Sequence, residues 1–352
     1  MEFTDIKVTD DDEDYMRVDR LYNSISSFSH IFGYGWGSEL DAYIVARPDG
    51  QLYYTAYGNG LARDFSLTTM SATMRGAMQR VVTASALQEE LVGSTDEYEV
   101  FKSAADLPDW RMESLYEDAQ NAGYVQSGET SVGDIFTDNV NGPARIIRVP
   151  EGYQMFMVGT SVQDAFEGVF DVAGRLVRAW VHGEPQRYVS YRWGYRWRPA
   201  TAGISPSRSL GERIVEMSDY RGNVFHFEYD GFGRVVRVNG GRLGYAAYRY
   251  DENGDLRWQR DASGGIFQYL YDNDHDLISA SFPQGAPLLL GYQGHDGYLT
   301  SLHCPDGTEY QFAKLKDGNG YTTGMRVIKT PNRGVTETQE FDSEHLGVYS
   351  YC

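Results

Sequence analysis

The sequence predicts a mainly β chain: a long antiparallel sheet assembled from tandem hairpins and interrupted by a small α-helical insertion. Three observations predict it. Tyr recurs with a period of 21 residues through Tyr229, Tyr250, Tyr271 and Tyr292. Around each of these tyrosines apolar and polar residues alternate, the pattern of a strand with one buried face. Turn signals made of Asp and Gly fall twice in each period. The composition agrees, since 27 Tyr and 39 Gly among 352 residues suit many short strands joined by tight reversals.

The repeat can be followed column by column. Asp230, Asp251 and Asp272 follow the first three tyrosines. Two residues before each Tyr stand Phe227, Tyr248, Tyr269 and Leu290, and four before it Phe225, Ala246, Phe267 and Leu288. Six residues after it come Val235, Leu256 and Leu277, with Ile214 one period earlier. The opposite phase carries His226, Glu228, Arg249 and Gln268, as a solvated face would.

DGFG (230–233) and DENG (251–254) mark the reversal after the Tyr and end on Gly233 and Gly254. DYRG (219–222), DASG (261–264) and PDG (305–307) mark the other one. Asp at the head of such a turn accepts backbone hydrogen bonds, and Gly supplies its left-handed exit. Each period is therefore one hairpin, with strands of about 5 to 8 residues, and successive hairpins stack into one sheet. FDVAGRL (170–176) has the same form, with Phe170, Asp171 and Gly174 in the motif positions. FDSEHL (341–346) is a degenerate copy, and YQGHDGYL (292–299) is longer by one residue. Between Leu176 and Ile214 the spacing predicts an insertion, rich in Pro, Ser and Gly toward its end.

This pattern resembles the YD repeats of bacterial Rhs proteins, found also in insecticidal toxin complexes and in teneurins. The segment YDGFGRVVRVNGGRLGYAAYRYDENGDLRWQRDASGGIFQYLYD (229–272) is similar to the family's repeat form. LYNSISSFSHIFGYGWGSELDAYIVARPDGQLYY (21–54) resembles the segment that opens an Rhs core. The resemblance implies a strip of sheet that spirals into a shell around a toxic polypeptide until delivery. Because family shells use many more repeats, it implies only a partial shell here. It does not extend to self-cleavage or to a toxin domain, since the chain contains no Asp-Pro pair.

Residues 1–67 are thus expected to form an N-terminal β segment of Rhs-core type, and 144–352 the repeat sheet. Residues 68–143 differ. Met70, Met74, Met78, Val81, Val82 and Leu91 recur at helical steps. A second helical pattern runs over 108–123, with Pro108 near its start and Gly123 as its stop. The expectation is a helical insertion that covers a sheet face or edge.

Charge and chemistry narrow the function. A net charge of −19 argues against nucleic acid and anionic membranes as general partners. No apolar run is long enough to span a bilayer, and the acidic start MEFTDIKVTDDDEDYMRVDR is no signal peptide. The chain is then expected to be cytoplasmic as synthesised, and export, if it happens, must use another signal or another protein, such as a specialised secretion system.

Cys304 and Cys352 form no disulfide framework and are expected as free thiols. Seven scattered histidines make no zinc pattern, and His303-Cys304 should point to opposite faces of a strand. DDDED (10–14) lacks the glycine and distal Glu of a calcium loop, and GYGWG (33–37) lacks a phosphate-loop form. No catalytic residue, cofactor or metal site is therefore predicted.

One patch invites a ligand. Tyr191, Trp193, Tyr195 and Trp197 alternate with Arg192, Arg196 and Arg198, and aromatic–Arg arrays can stack on sugars or bases. Internal packing and ion pairing explain the patch more simply. The expected function is a non-enzymatic structural module that encloses or presents another polypeptide, with a carbohydrate- or surface-binding module as the alternative. The last unit, from Phe341-Asp342, stops short of a full hairpin. An open strand edge and an exposed aromatic face should then require a protein partner, either a second copy or another repeat-bearing chain.

Overall fold

The computed structural model describes residues 2–10, 13–26, 29–57, 61–77, 116–117, 120–121, 123, 126, 128–138, 140, 143–158, 165–195, 212–294 and 297–342. They fall into two compact units. One comprises Met1–Asp41, Gly194–Val215 and Val224–Cys352, the other Ala42–Trp193 and Glu216–Asn223.

The first unit opens with β1 (Glu2–Asp10) and β2 (Glu13–Tyr22), an antiparallel hairpin that β5 (Trp36–Gly37) extends. Between them lies the short pair β3 (Ser29–His30) and β4 (Gly33–Tyr34). In β2 the alternating residues Met16, Val18, Arg20 and Tyr22 are all buried, so a charged side chain occupies an otherwise apolar phase.

The second unit is an antiparallel succession. It runs through β6 (Tyr43–Ala46), β7 (Leu52–Ala56), β8 (Leu61–Thr69), β9 (Ile135–Asp138), β10 (Ala144–Val149), β11 (Gly152–Met157), β12 (Phe166–Asp171), β13 (Leu176–Val181) and into β14 (Val189–Tyr195). Leu52, Phe65, Phe136, Ile146, Met155 and Phe170 form its core. Within the predicted helical insertion, residues 72–77 are helical. Ser71 caps them by accepting a hydrogen bond from the Met74 N–H at 3.2 Å, as a helix N-cap should. Met70 and Met74 are buried as expected of an apolar stripe, whereas Met78, Val81, Val82 and Leu91 lie outside the described residues.

The repeats follow as β15 (Glu212–Asp219), β16 (Val224–Tyr229), β17 (Val235–Asn239), β18 (Tyr245–Tyr250), β19 (Leu256–Arg260), β20 (Ile266–Tyr271), β21 (Leu277–Ser281) and β22 (Leu288–Tyr292). They continue through β23 (Leu299–His303), β24 (Glu309–Lys316), β25 (Thr322–Thr330) and β26 (Glu337–Asp342). From β16 onward each strand pairs antiparallel with the next. The register slips just before Tyr229, Tyr250, Tyr271 and Tyr292, and likewise before Phe170. The repeat therefore includes a β-bulge, which adds twist and turns the motif residue out of the plain ladder.

Three expectations change. The segment after Leu176 is not simply an insertion: β13 starts at Leu176, and β14 pairs with it through Arg178↔Ser190 and Ala179↔Val189. VRAWV and VSYRW keep strand alternation, and only the 21-residue spacing is broken by a longer connection. Cys304 is disulfide-bonded rather than free, and the chain has one other cysteine, Cys352, outside the described residues. A low cysteine count limits the number of bridges, but it does not exclude one.

The third change concerns the aromatic face of the repeats, which is not open. Phe225, Phe227, Tyr248 and Tyr269 are buried, and Phe3, Phe32 and Trp36 of the N-terminal segment pack over this face. The acidic sequence of that segment obscured its apolar alternate residues.

Candidate functional site: the seat of the N-terminal hairpin on the repeats

Three of the four repeat tyrosines share one geometry. The Tyr229 hydroxyl donates to the Ile214 carbonyl at 2.7 Å, Tyr250 to Val235 at 2.7 Å and Tyr292 to Leu277 at 3.0 Å. In each case the acceptor lies 15 residues earlier, so these three tyrosines tie their strands to the preceding hairpin. The Tyr271 hydroxyl accepts from the Trp36 indole N–H at 2.7 Å instead. Trp193, in β14, makes the equivalent contact: its indole N–H donates to the Leu176 carbonyl at 2.7 Å.

The Asp that follows closes the turn. Asp230 Oδ1 accepts from the N–H groups of Phe232 and Arg234, Asp251 from Asn253 and Asp255, and Asp272 from Asp274 and Asp276. Asp171 does the same with Ala173 and Arg175. Asp317 does so with Asn319 and Tyr321, in a copy whose Tyr position holds Lys316 and which the sequence reading missed. Gly174, Gly233 and Gly254 close these turns at φ of 78°, 83° and 97°. Where the third copy should have Gly, His275 adopts φ 69°. Its Nδ1 lies 2.8 Å from Asp255 Oδ1, and its ring stacks on Tyr34 at 4.1 Å. Those contacts hold a side chain in a conformation that ordinarily favours glycine.

The hairpin docks on this array through a buried ion pair. Arg20 is fully buried, and its Nε and Nη2 donate to Asp5 Oδ2 and Oδ1 at 2.5 and 2.9 Å. Asp5 also accepts from the Tyr248 hydroxyl at 2.7 Å and from Gln259 Nε2 at 3.0 Å, while Arg20 reaches the Tyr269 hydroxyl at 3.3 Å. The guanidinium carbon sits 4.6 Å from the Trp36 ring centroid, with Phe3, Phe32, Tyr248 and Tyr269 around it.

Burial alone would lower the Arg20 pKa. The Asp5 carboxylate and the two phenols overcome that effect and hold it above its usual value. Burial pushes the Tyr269 phenol up to about 12 and raises that of Tyr248 well above its usual value, so both stay neutral, Tyr248 donating to Asp5 and Tyr269 accepting from Arg20.

Backbone bonds complete the seat. The Val235 N–H donates to the Ile31 carbonyl at 2.7 Å, the Ala262 N–H to the Asp5 carbonyl at 2.9 Å and the Leu277 N–H to the Tyr22 hydroxyl at 2.7 Å. Val235 and Leu277 occupy the same column, just beyond the bulge. The N-terminal segment thus supplies acceptors where the bulge interrupts the ladder. Close by, the Ser38 N–H donates to Asp41 Oδ2 at 3.1 Å. Burial pushes the Asp41 pKa up to about 7, against the pull of this hydrogen bond and of Arg213.

Of the aromatic patch, Tyr191 is buried and Trp193 half-buried, and Arg192 pairs with Glu216 at 2.7 Å. The Tyr195 side chain and Trp197 lie outside the described residues. Among the described residues no cluster of three or more His, Cys, Asp or Glu is placed to hold a metal. His303 lies 3.2 Å from Glu309, and the Cys304 sulfur is committed to its disulfide, so that adjacent pair offers no nucleophilic thiol.

Sequence reasoning missed Asp5, Arg20 and Gln259, the polar centre of the seat. The available signal was their place in the buried phase of alternating strands.

No protein-family model matches the chain, and no curated protein does. Solved structures do. The Tc holotoxin pore of Photorhabdus luminescens is 13% identical over 79% of this chain and 14% of that one, with a TM-score of 0.30. A TcdB2-TccC3-TEV structure is 11% identical over 97% of this chain and 16% of that one, also at 0.30. TcdB2-TccC3-Cdc42 is 9% identical over 83% and 18%, at 0.26. The chain therefore spans less than a fifth of the length of each.

Proposed function

We propose that this chain is a non-enzymatic structural module of the Rhs, YD-repeat type, a segment of shell that encloses or presents another polypeptide. One observation carries the reading. The motif residues are committed to holding repeats together, Tyr hydroxyls to the carbonyl of the preceding hairpin and Asp carboxylates to their own turns. A motif used in this way sets the spacing of a scaffold and leaves its polar atoms no substrate to act on. The partner in this reading is protein, a second copy or another repeat-bearing chain.

Light scattering on the purified chain tests it. Association above the 39.7 kDa protomer is expected. A monodisperse protomer whose Glu337–Asp342 amides exchange as slowly as those of Tyr245–Tyr250 would overturn it. Turnover in a small-substrate hydrolysis screen would overturn the non-enzymatic part.

A further inference from the structure

We propose that the repeat-sheet face turned away from the N-terminal hairpin carries a docking site for an acidic polypeptide segment, centred on Arg237, Arg249 and Arg260. This goes beyond the structural-module reading, because it assigns a recognition surface and does not depend on a shell.

The sheet register creates the surface. Arg237, Ala247 and Arg260 lie side by side on β17, β18 and β19, and Arg249 is two residues from Ala247 on the same face. Arg237 and Arg260 thus flank the small Ala247 across the strands, with Arg249 beside it along β18. Aromatic rings fix their positions. The guanidinium carbons of Arg237 and Arg260 lie 4.0 and 4.4 Å from the Tyr245 ring centroid, and that of Arg249 lies 4.8 Å from the Trp258 centroid. Such stacking orients a guanidinium, and Arg260 Nη1 is held further by the Tyr245 and Asp261 carbonyls at 3.2 and 3.5 Å, which leaves its other N–H groups to a ligand.

The acids that could neutralise these groups are engaged elsewhere. Asp230 pairs with Arg234 at 2.7 Å and Asp251 with Arg257 at 3.3 Å. Asp261 Oδ1 accepts from the Gly265 N–H and the Ser263 hydroxyl, both at 2.7 Å. Glu228 is the direct cross-strand neighbour of Arg237, yet no ion pair forms between them. Among the described residues none of the three arginines has a carboxylate partner. Arg237 Nε is also buried and without an acceptor.

In a chain of net charge −19, three adjacent guanidiniums without a carboxylate partner among the described residues favour an anion from outside. The global charge does not forbid this. At physiological ionic strength the screening length is about 8 Å, so contacts within the patch outweigh distant acids.

The occupant is a polypeptide rather than a sugar or a nucleic acid. Arginines already rest on the rings, which removes the open stacking faces that sugars and bases use. Exposed Ile266 and Leu270 continue the same face, with Ile266 paired directly with Arg260. Carboxylates on the arginines and apolar side chains on this margin match a segment that alternates acidic and aliphatic residues.

Calorimetry with the full chain tests the site, using end-blocked octapeptides of alternating Glu-Leu and Gln-Leu and a heparin-derived hexasaccharide. The Glu-Leu peptide should bind, and the Gln-Leu peptide should bind at least about tenfold more weakly. Arg237→Gln with Arg260→Gln should weaken binding by a similar factor, and the Lys pair should recover only part of it. Arg249→Gln, at an exposed position, checks the result should the double variant fail to fold; a loss of at least about threefold is expected. Absence of binding by the Glu-Leu peptide, equal affinity in folded variants, or tighter binding of the hexasaccharide would overturn the proposal.

Discussion

Replacing Arg20 by Met while Asp5 stays should be among the most damaging single changes available to this chain. The side chains of Arg20 and Asp5 are 0% and 1% exposed, so neither charge has water to fall back on. Met fills much of the arginine volume, which keeps the cavity contribution small. What remains is a carboxylate held only by the Tyr248 hydroxyl and Gln259 Nε2. Breaking one side of a buried pair costs about 3–5 kcal/mol. Adding Asp5→Leu removes the stranded charge and leaves two donors without an acceptor, at about 1 kcal/mol each. The double variant should therefore be more stable than Arg20→Met alone. Equilibrium urea unfolding followed by tryptophan emission reads this directly, because Trp36 stacks on Arg20. A cost below about 1 kcal/mol for Arg20→Met, or a double variant worse than the single, would refute the reasoning.

Three further expectations follow from the same geometry. Tyr250→Phe removes the donor to the Val235 carbonyl and should cost about 1–2 kcal/mol, and Asp251→Ala, which opens one turn, about 1 kcal/mol, both by urea titration. Asp41 has a folded pKa near 7, above the ordinary carboxylate value, so its contribution is fully present in acid and is lost as pH rises through 7. Asp41→Asn should therefore flatten the fall in Tm between about pH 5 and about pH 8.5, and an unchanged slope would contradict this. Cys304→Ser should lower stability by about 2–5 kcal/mol, and reductant should lower the wild-type Tm without affecting the variant.

The repeat was legible because its signals are local. Tyr, Asp and Gly at fixed spacing define a bulge and a turn within a few residues, and Asp230, Asp251 and Asp272 each accept the bonds such a turn requires. Contacts distant in sequence were not legible. Asp5 meets Tyr248 and Gln259 across more than two hundred residues, and no spacing rule links them. Arg20 could have been singled out as the one charge among Met16, Val18 and Tyr22 in a strand-like phase, a pattern that demands a buried partner. β14 was not recognised as part of the repeat for a different reason: Trp193 takes the role of a repeat tyrosine, and the longer connection breaks the period. Likewise, His275 in the place of glycine hides the third turn from a search for Asp followed by Gly.

The central claim is that the N-terminal hairpin packs on the repeat sheet and seals its aromatic face. Hydrogen exchange followed by mass spectrometry tests it most directly. Peptides covering Glu2–Asp10 and Glu13–Tyr22 should exchange as slowly as those covering Tyr245–Tyr250 and Ile266–Tyr271, and Arg20→Met should accelerate both sets together. A hairpin that exchanges within seconds while the repeats remain protected would show that the face is covered by something other than this segment.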